Sequence, residues 1–542
     1  MASLAALFWR ALFTSDMFYY RDVFHYSFPH VKFIYEALRA GFLPFWNPYL
    51  SYGEPLLVNP SYLFFYPTTL FAVVGMSAAY AYKLHYVLHF CLAAVGTYWL
   101  ARRWEQSRWA AFFAAFIFAF SGPVLSLGNF YNHAAAAAWI PWALALTDRA
   151  LKRDTRRSWI ALIAVSAVQF LASEPMTWIS TYILCGAYAF HQRGRFDKIF
   201  SRANGRILWK LSVCAAFVLA LCAVVLVPAL TLLEYSQRGT TGLVFAEVTY
   251  WSLHPLYALQ TVLPGFFGEA LNQPSLWMTV LSGRNAPYFP SLFIGFIPIL
   301  FALLGWVGGP ARLRGFAAGG CLSFFLLALG RFTPLFGLAY LLFPPLGMMR
   351  FPSKFLIPAF LLLALLAGWG VDAVRRGTLE WGRATKRFYI PLAVAGSVVG
   401  IVWVLSWIVP GLISRPALGL LQEANSLFMR SPADALKMEE LDAAANFFIT
   451  RIRYLFPGLV GFILFGLVWV RGMSQEKFRK LLPVVALLGM ALLAVENRKA
   501  NPMVPEEFYS YRPPALDLMK GEPHSYRIFS IPEHLSEPAP TD

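Results

Sequence analysis

The chain has 542 residues, of which 58% are hydrophobic, 17% aromatic and only 13% charged, with a formal net charge of +17. A soluble domain carries roughly 25% charged residues, so a chain this poor in charge cannot clothe a water-facing surface, whereas lipid can. The positive charge is not a nucleic-acid footprint either, because the bases concentrate in short connectors between apolar runs, which is the positive-inside asymmetry of a membrane protein.

In chain order, residues 1–13 are apolar but interrupted by Arg10 and too short to span; the expectation is either that they insert obliquely or that a first helix lies outside this sequence. Residues 14–80 form a first hydrophilic segment, within which 62–76 is apolar, flanked by Pro67 and Gly75, and suits an interfacial or re-entrant piece. Apolar stretches then run over 81–101, 109–127, 134–150, 158–172, 176–190, 207–230, 289–309, 316–330, 355–372, 387–412, 454–470 and 481–496. Alternating their direction puts every base-rich connector, such as Arg149–Arg157 and Arg193–Lys210, on one side. The fold class expected is therefore an all-α polytopic membrane protein of about twelve transmembrane helices. Its parts would be an N-terminal segment and first outer loop over 1–80, a helical domain over 81–496 with outer loops near 231–288, 331–354 and 413–453, and a polar, Pro-rich tail over 497–542. Residues 432–449 read as an amphipathic surface helix within the third of those loops. With an even number of spans both termini lie on the outer face.

All five cysteines, Cys91, Cys185, Cys214, Cys222 and Cys321, fall in apolar stretches, so no disulfide framework is expected. The chain has no phosphate-binding GxxxxGK[ST] loop, no dinucleotide fingerprint, no CxxC pair and no HExxH. No nucleotide cofactor is therefore expected, and the sequence leaves a divalent metal open. His85 and His89 have the i, i+4 spacing of a metal pair, but without a third ligand nearby they read as packing or interfacial residues.

The first outer segment stands out. Asp22 is followed by Pro29, then by Gly41-Phe-Leu-Pro-Phe-Trp46-Asn47-Pro48-Tyr49, Gly53-Glu54-Pro55, Asn59-Pro60 and Phe65-Tyr66-Pro67. Later come Tyr131-Asn132 with Trp139-Ile-Pro141-Trp142, Glu234-Tyr-Ser236-Gln-Arg238-Gly239, Leu263-Pro264-Gly265-Phe-Phe-Gly268, and Arg350-Phe-Pro352-Ser-Lys354-Phe355 leading to Ala367-Gly368-Trp-Gly370. Taken in order over roughly residues 14–530, this series resembles the YfhO-like bacterial membrane proteins, within the GT-C class of glycosyltransferases. Family members usually carry a full helix before the Asp loop and often a soluble outer domain after the last span.

The resemblance implies a bacterial inner-membrane enzyme with its active face outward, moving a sugar from a polyprenyl-phosphate carrier to an acceptor. It implies a first-loop carboxylate as general base; Asp22 matches by its spacing to Pro29, and Asp16 is the second candidate. A carboxylate within reach of the acceptor hydroxyl can take its proton during attack on the anomeric carbon. Arg350 and Lys354, at the start of a span, suit a lipid-linked phosphate, with Arg238 as a further base. Glu174 sits in a turn between two apolar segments and could line a polar cavity. Asn132, with Asn129 and His133 in a neighbouring turn, and Asn47 in the Pro-rich loop are candidate sugar contacts. Expected partners are membrane lipid, the lipid-linked donor and other membrane proteins, and no nucleic acid. Two other readings stand beside the transferase: a non-catalytic membrane scaffold subunit, and a lipid-linked glycan transporter.

Overall fold

The computed structural model describes residues 2–511 apart from 50–52, 57, 194–200, 272–273, 284–285, 379–380, 428–434 and 473–474. Most of the expected tail, and the start of the expected helix at 432–449, lie outside the described residues.

The molecule is organised around one helix, Leu356–Arg376, buried along almost its whole length. Apolar residues run round its full circumference, as a helix enclosed by other helices requires. Three neighbours approach it closely because small residues let them. A Cβ on Gly305 of helix Phe296–Gly308 would stand 1.8 Å from the Leu366 carbonyl oxygen, and one on Gly370 would stand 1.9 Å from that of Phe301. The two backbones therefore touch, which is how helices pack where lipid offers no hydrophobic drive. On another side, helix Arg108–Phe120 presents an alanine-rich face, while helix Ala311–Ala328 closes a third.

Helix accounts for most of the expected apolar length, but not always as one straight span, and residues 289–295 of the expected span 289–309 are non-helical, leaving the 13-residue helix Phe296–Gly308. Among the described residues, five helices are long and apolar enough to cross a membrane: Ala78–Arg103, Arg202–Leu221, Ala311–Ala328, Pro352–Arg376 (the central helix with its short entry turn) and Glu476–Ala500. The total rises to seven if the bent pairs Arg108–Phe120 with Gly122–Asn129, and Ala393–Ile408 with Pro410–Ser426, are each one span. The bends have local causes. Ser121-Gly122-Pro123 interrupts the first pair, Val409-Pro410 turns the second through 109°, and Pro141 marks a new start after the alanine helix Tyr131–Ala138. The segment expected as loop from 413 thus begins as the helix Pro410–Ser426, and the second half of the expected surface helix runs unbroken into Met438–Gly472, a single helix of 35 residues.

The first outer segment is folded onto the bundle. Residues 2–13 form two short helices against Ala78–Arg103. Val23–Ser27 makes a π-turn that runs into the helix Phe28–Arg39, and Pro67–Thr69 with Leu70–Val73 forms a short, partly exposed step rather than a span. Trp46–Asn47 pairs antiparallel with Glu54–Pro55. Met17–Phe18 pairs antiparallel with Met503–Val504, and Tyr509 donates a hydrogen bond to the Phe18 carbonyl at 2.5 Å, so chain following the last helix returns to cover the first loop. The five cysteines are unpaired and buried or half-buried.

Candidate functional site

Asp22 ends an abrupt change of direction. Arg21 before it has a left-handed backbone (φ 56°), and the π-turn begins directly after it. The Ser27 hydroxyl donates to the Asp22 carbonyl at 2.9 Å and meets the buried Tyr82 hydroxyl at 2.5 Å, so helix Ala78–Arg103 holds the turn from beneath. The carboxylate itself caps nothing and, among the described residues, makes no hydrogen bond or ion pair. It keeps solvent contact, yet the protein around it is dense. Desolvation raises its pKa above the ordinary 3.8, against the opposing positive charge of Arg21 and His25.

Arg21 is held on all sides. Its guanidinium donates to the carbonyls of Pro287 (2.7 Å) and Tyr288 (3.1 Å) and lies over the rings of Trp251 (4.9 Å) and Phe130 (5.2 Å). Through Tyr288 the network continues inward: its hydroxyl donates to His133 Nδ1 at 2.6 Å, and His133 Nε2 faces Glu174 Oε1 at 4.0 Å. Burial, helped by Lys354, depresses His133 to a pKa of about 3, so the ring is neutral and the 4.0 Å approach is not an ion pair at neutral pH. Neutral imidazole accepts the Tyr288 proton at Nδ1 and turns its own N–H toward the carboxylate.

Glu174 is buried and fully employed. Oε1 accepts from Lys354 Nζ at 2.6 Å, and Oε2 accepts from the Thr177 amide at 2.6 Å, capping the helix Pro175–Arg193. Burial alone would raise this carboxyl; Lys354, His133 and the two hydrogen bonds overcome it and hold the pKa near 2. Lys354 arrives on the short turn Pro352–Phe355 that opens the central helix, after Phe351 at φ 77°. Arg350 and Arg238, by contrast, are exposed, and neither guanidinium forms a hydrogen bond or ion pair among the described residues. They lie close enough for Arg350, after desolvation, to depress Arg238, while Glu174 opposes that shift.

Backbone strain gathers here. Of the seven non-glycine residues with positive φ among the described residues, four are Arg21, Ser173, Trp251 and Phe351, and the first two immediately precede Asp22 and Glu174. Such conformations cost of order 1–3 kcal/mol each and persist where surrounding contacts over-determine them, commonly at functional sites.

Of the candidates read from the sequence, Asp22, Glu174, Arg238, Arg350 and Lys354 thus belong to one cluster. The others have local work. Asp16 is tied to Arg10 at 2.7 Å, beside the Met17–Phe18 strand. Asn132 donates to the Ser173 carbonyl at 3.1 Å and so props up the turn that carries Glu174. Asn47 is buried, and its Oδ1 accepts from the Tyr49 amide at 3.0 Å to close its own turn. Asn129 is buried and donates to the Ser126 carbonyl at 2.8 Å. His85 and His89 have both ring nitrogens occupied, by Thr68 and Tyr131 and by Tyr66 and the His85 carbonyl, so they pin the Phe65-Tyr66-Pro67 step to the bundle. Sequence reasoning missed Arg21, Tyr288, Trp251 and Phe130, whose roles come from contacts that no spacing announces. Among the described residues no three His, Cys, Asp or Glu side chains converge. A metal at this site would find Asp22 alone, since Lys354 and Thr177 already occupy Glu174.

No family model and no curated protein matches the chain. Among solved structures it is similar to ArnT from Cupriavidus metallidurans bound to undecaprenyl phosphate, at 13% identity and a TM-score of 0.40, covering 92% of this chain and 76% of that one. It is similar to the mycobacterial arabinofuranosyltransferase AftD at 14% identity and 0.38, covering 71% and 24% respectively. It is also similar to the oligosaccharyltransferase AglB from Archaeoglobus fulgidus, in complex with an inhibitory peptide and a dolichol-phosphate, at 14% and 0.29, covering 89% and 59%. Likenesses this distant decide nothing about the site, whose chemistry has to be read from its side chains.

Proposed function

We propose that the chain is a GT-C-type membrane glycosyltransferase, related to the YfhO-like proteins, that moves a sugar from a polyprenyl-phosphate carrier to an acceptor at the outer face of a bacterial inner membrane. The observation that carries this reading is a carboxylate and two guanidiniums without an ion pair among the described residues, in one electrostatically connected cluster: Asp22 with Arg238 and Arg350 (the last lying over the Phe351 ring at 5.1 Å), joined through Arg21, Tyr288, His133 and the Glu174–Lys354 pair.

In the proposed reaction an acceptor oxygen attacks the anomeric carbon as the bond from that carbon to the carrier phosphate breaks. The acceptor's proton goes to the Asp22 carboxylate, and the electron pair of the broken bond leaves with the phosphate. Burial raises the Asp22 carboxyl above the ordinary aspartate value and so makes it a stronger base. Arg350 and Arg238 meet the charge that accumulates on the departing phosphate, which is where fixed donors lower a barrier. Lys354 serves differently from the sequence expectation: paired with Glu174, it fixes the turn on which Arg350 sits.

The test is glycan transfer in membranes bearing the unmutated chain or Asp22→Asn, with partner recovery from the same preparations. Asparagine keeps size and hydrogen bonding but cannot take the proton, and losing a general base costs about 10²–10⁴-fold in rate. Transfer at the unmutated rate by Asp22→Asn would remove Asp22 as base. No transfer by the unmutated chain, together with a stably bound partner, would favour a scaffold subunit.

A further inference from the structure

At the far end of the central helix from Lys354, a second feature is unused by this chemistry. Leu356–Arg376 has 21 residues, a length of roughly 31 Å at 1.5 Å per residue, or about one hydrocarbon thickness. Its last turn therefore reaches the opposite membrane face. There a groove of about 630 Å³ opens sideways between this helix, the start of Arg108–Phe120 and the helix Gln475–Asn497. Its wall is apolar, with Trp109, Phe112, Leu487 and Met490 prominent, and its mouth carries Arg375 and Arg479. Trp109 is 68% exposed and Leu487 61% exposed, so the wall opens to the surroundings. Neither arginine forms a hydrogen bond or ion pair among the described residues, whereas their neighbours Arg376 and Lys480 are each committed, to Asp372 and Glu476.

A second sideways groove, of about 570 Å³, supplies the contrast. It lies between Arg156–Leu171 and Arg202–Leu221; there Asp154 neutralises the Lys210 ammonium at 2.5 Å and leaves a single base, Arg156, without a hydrogen bond or ion pair among the described residues. The volumes are similar, but the first groove carries two uncompensated guanidiniums and the second carries one beside a neutralised pair. An apolar trough that ends in two uncompensated guanidiniums matches a molecule with acyl chains and one anionic phosphate. Arginine's planar fork pairs with phosphate oxygens in that setting better than a lone ammonium does.

We propose that this groove is a binding site for one anionic phospholipid of the leaflet at the base-rich face, its phosphate held by Arg375 and Arg479 and an acyl chain lying along Trp109, Phe112 and Leu487. Basic pockets between membrane helices recognise anionic headgroups on this principle. The site is separated from the candidate transferase site by the thickness of the bilayer, and it does not depend on that reading.

The test uses the full chain in nanodiscs of equal phosphatidylglycerol and phosphatidylcholine, with retained lipid identified by native mass spectrometry. The unmutated protein should retain one phosphatidylglycerol in preference to phosphatidylcholine. Arg375→Gln with Arg479→Gln should reduce that preference by roughly ten- to thirty-fold, the effect of removing two interfacial bases. Leu487→Trp, which fills the trough and leaves both charges in place, should also lose the lipid; as an exposed apolar exchange it keeps the test decisive if the arginine variant folds poorly. Equal retention of the two lipids by the unmutated chain would overturn the proposal. So would undiminished phosphatidylglycerol in either variant, or its displacement by millimolar inorganic phosphate, which would reveal a bare anion site.

Discussion

Lys354 Nζ lies 2.6 Å from Glu174 Oε1, tying the entry turn of the central helix to the start of helix Pro175–Arg193 across 180 residues of chain. With side chains 11% and 3% exposed, this is a buried pair, and removing one partner strands the other. Glu174→Gln or Lys354→Met alone should cost about 3 kcal/mol, read as a fall in thermal midpoint in detergent. Glu174→Gln keeps an acceptor for the Thr177 amide, so its loss isolates the charge. Together the two changes should cost less than their sum, because no uncompensated charge remains. A strictly additive result would mean that the pair contributes no coupling.

His133 gives the fold an acid sensitivity above the carboxylate range. Its pKa is depressed by burial from 6.5 to about 3, so between those values the unfolded chain binds a proton that the folded chain refuses. Stability contributed this way is present above pH 6.5 and is lost as pH falls toward 3. Glu174, depressed from 4.5 to about 2, adds a loss in the same direction but only below pH 4.5. His254 in the outer segment, depressed to about 4, shares the upper window. His133→Gln, which still accepts from Tyr288, should therefore reduce the decline in thermal midpoint between pH 6.5 and 4.5 without abolishing it. An unchanged slope in that interval would show that His133 is protonated in the folded state.

Arg21 should set the acid limb of the transferase profile. Its positive charge opposes the desolvation that raises Asp22, so Arg21→Gln should raise the Asp22 pKa further and move the acid limb of kcat/KM to higher pH. The unmutated limb should already lie above the ordinary aspartate value of 3.8. A profile unmoved by Arg21→Gln would indicate that another group titrates there.

The helices were the legible part of this molecule, since apolar run length and connector charge report directly on lipid and topology. Most of the expected apolar length is helical, but the breaks do not follow from hydrophobicity: residues 289–295 precede the helix Phe296–Gly308, and Pro410 turns a helix through 109° while Pro457 sits inside one that continues. Among site residues, Asp22 and Arg350 were findable because a motif carried them. Glu174 read more naturally as an exposed turn residue; its burial depends on Lys354, far away in sequence. Arg21 and Tyr288 were invisible for the same reason, because their meaning lies in carbonyls and rings brought from 266 positions away. Asn47 and Asn132 read as sugar contacts since amides can bind hydroxyls, but an amide can equally hold backbone: Asn47 closes its own turn, and Asn132 reaches the Ser173 carbonyl of the turn before Glu174.

Topology can be checked without any assay of function. With the five native cysteines replaced, Asp22→Cys should react with a membrane-impermeant maleimide added from outside, and Arg153→Cys, in the connector after helix Ile140–Arg153, should react only after permeabilisation. The reverse pattern would invert the proposed orientation, and with it the face on which the acceptor is found.

The last prediction separates the two kinds of base at the candidate site. Arg238 and Arg350 are exposed and hold no anion among the described residues, whereas Lys354 is already spent on Glu174. If the carrier phosphate binds here, Arg238→Gln and Arg350→Gln should each weaken retention of polyprenyl phosphate by about tenfold, the lower end for charge-assisted hydrogen bonds at a hydrated site, with the thermal midpoint essentially unchanged. Lys354→Gln should show the opposite balance: a clear fall in midpoint from the stranded Glu174, and a smaller effect on lipid retention once measured below the new midpoint. Quantifying co-purified polyprenyl phosphate alongside thermal unfolding for all three variants distinguishes the cases. Full retention of the lipid by the Arg238→Gln, Arg350→Gln double variant would place the phosphate elsewhere. Selective loss in Lys354→Gln, at unchanged stability, would mean that the lysine leaves Glu174 to meet the phosphate and that the pair is a gate rather than a strut.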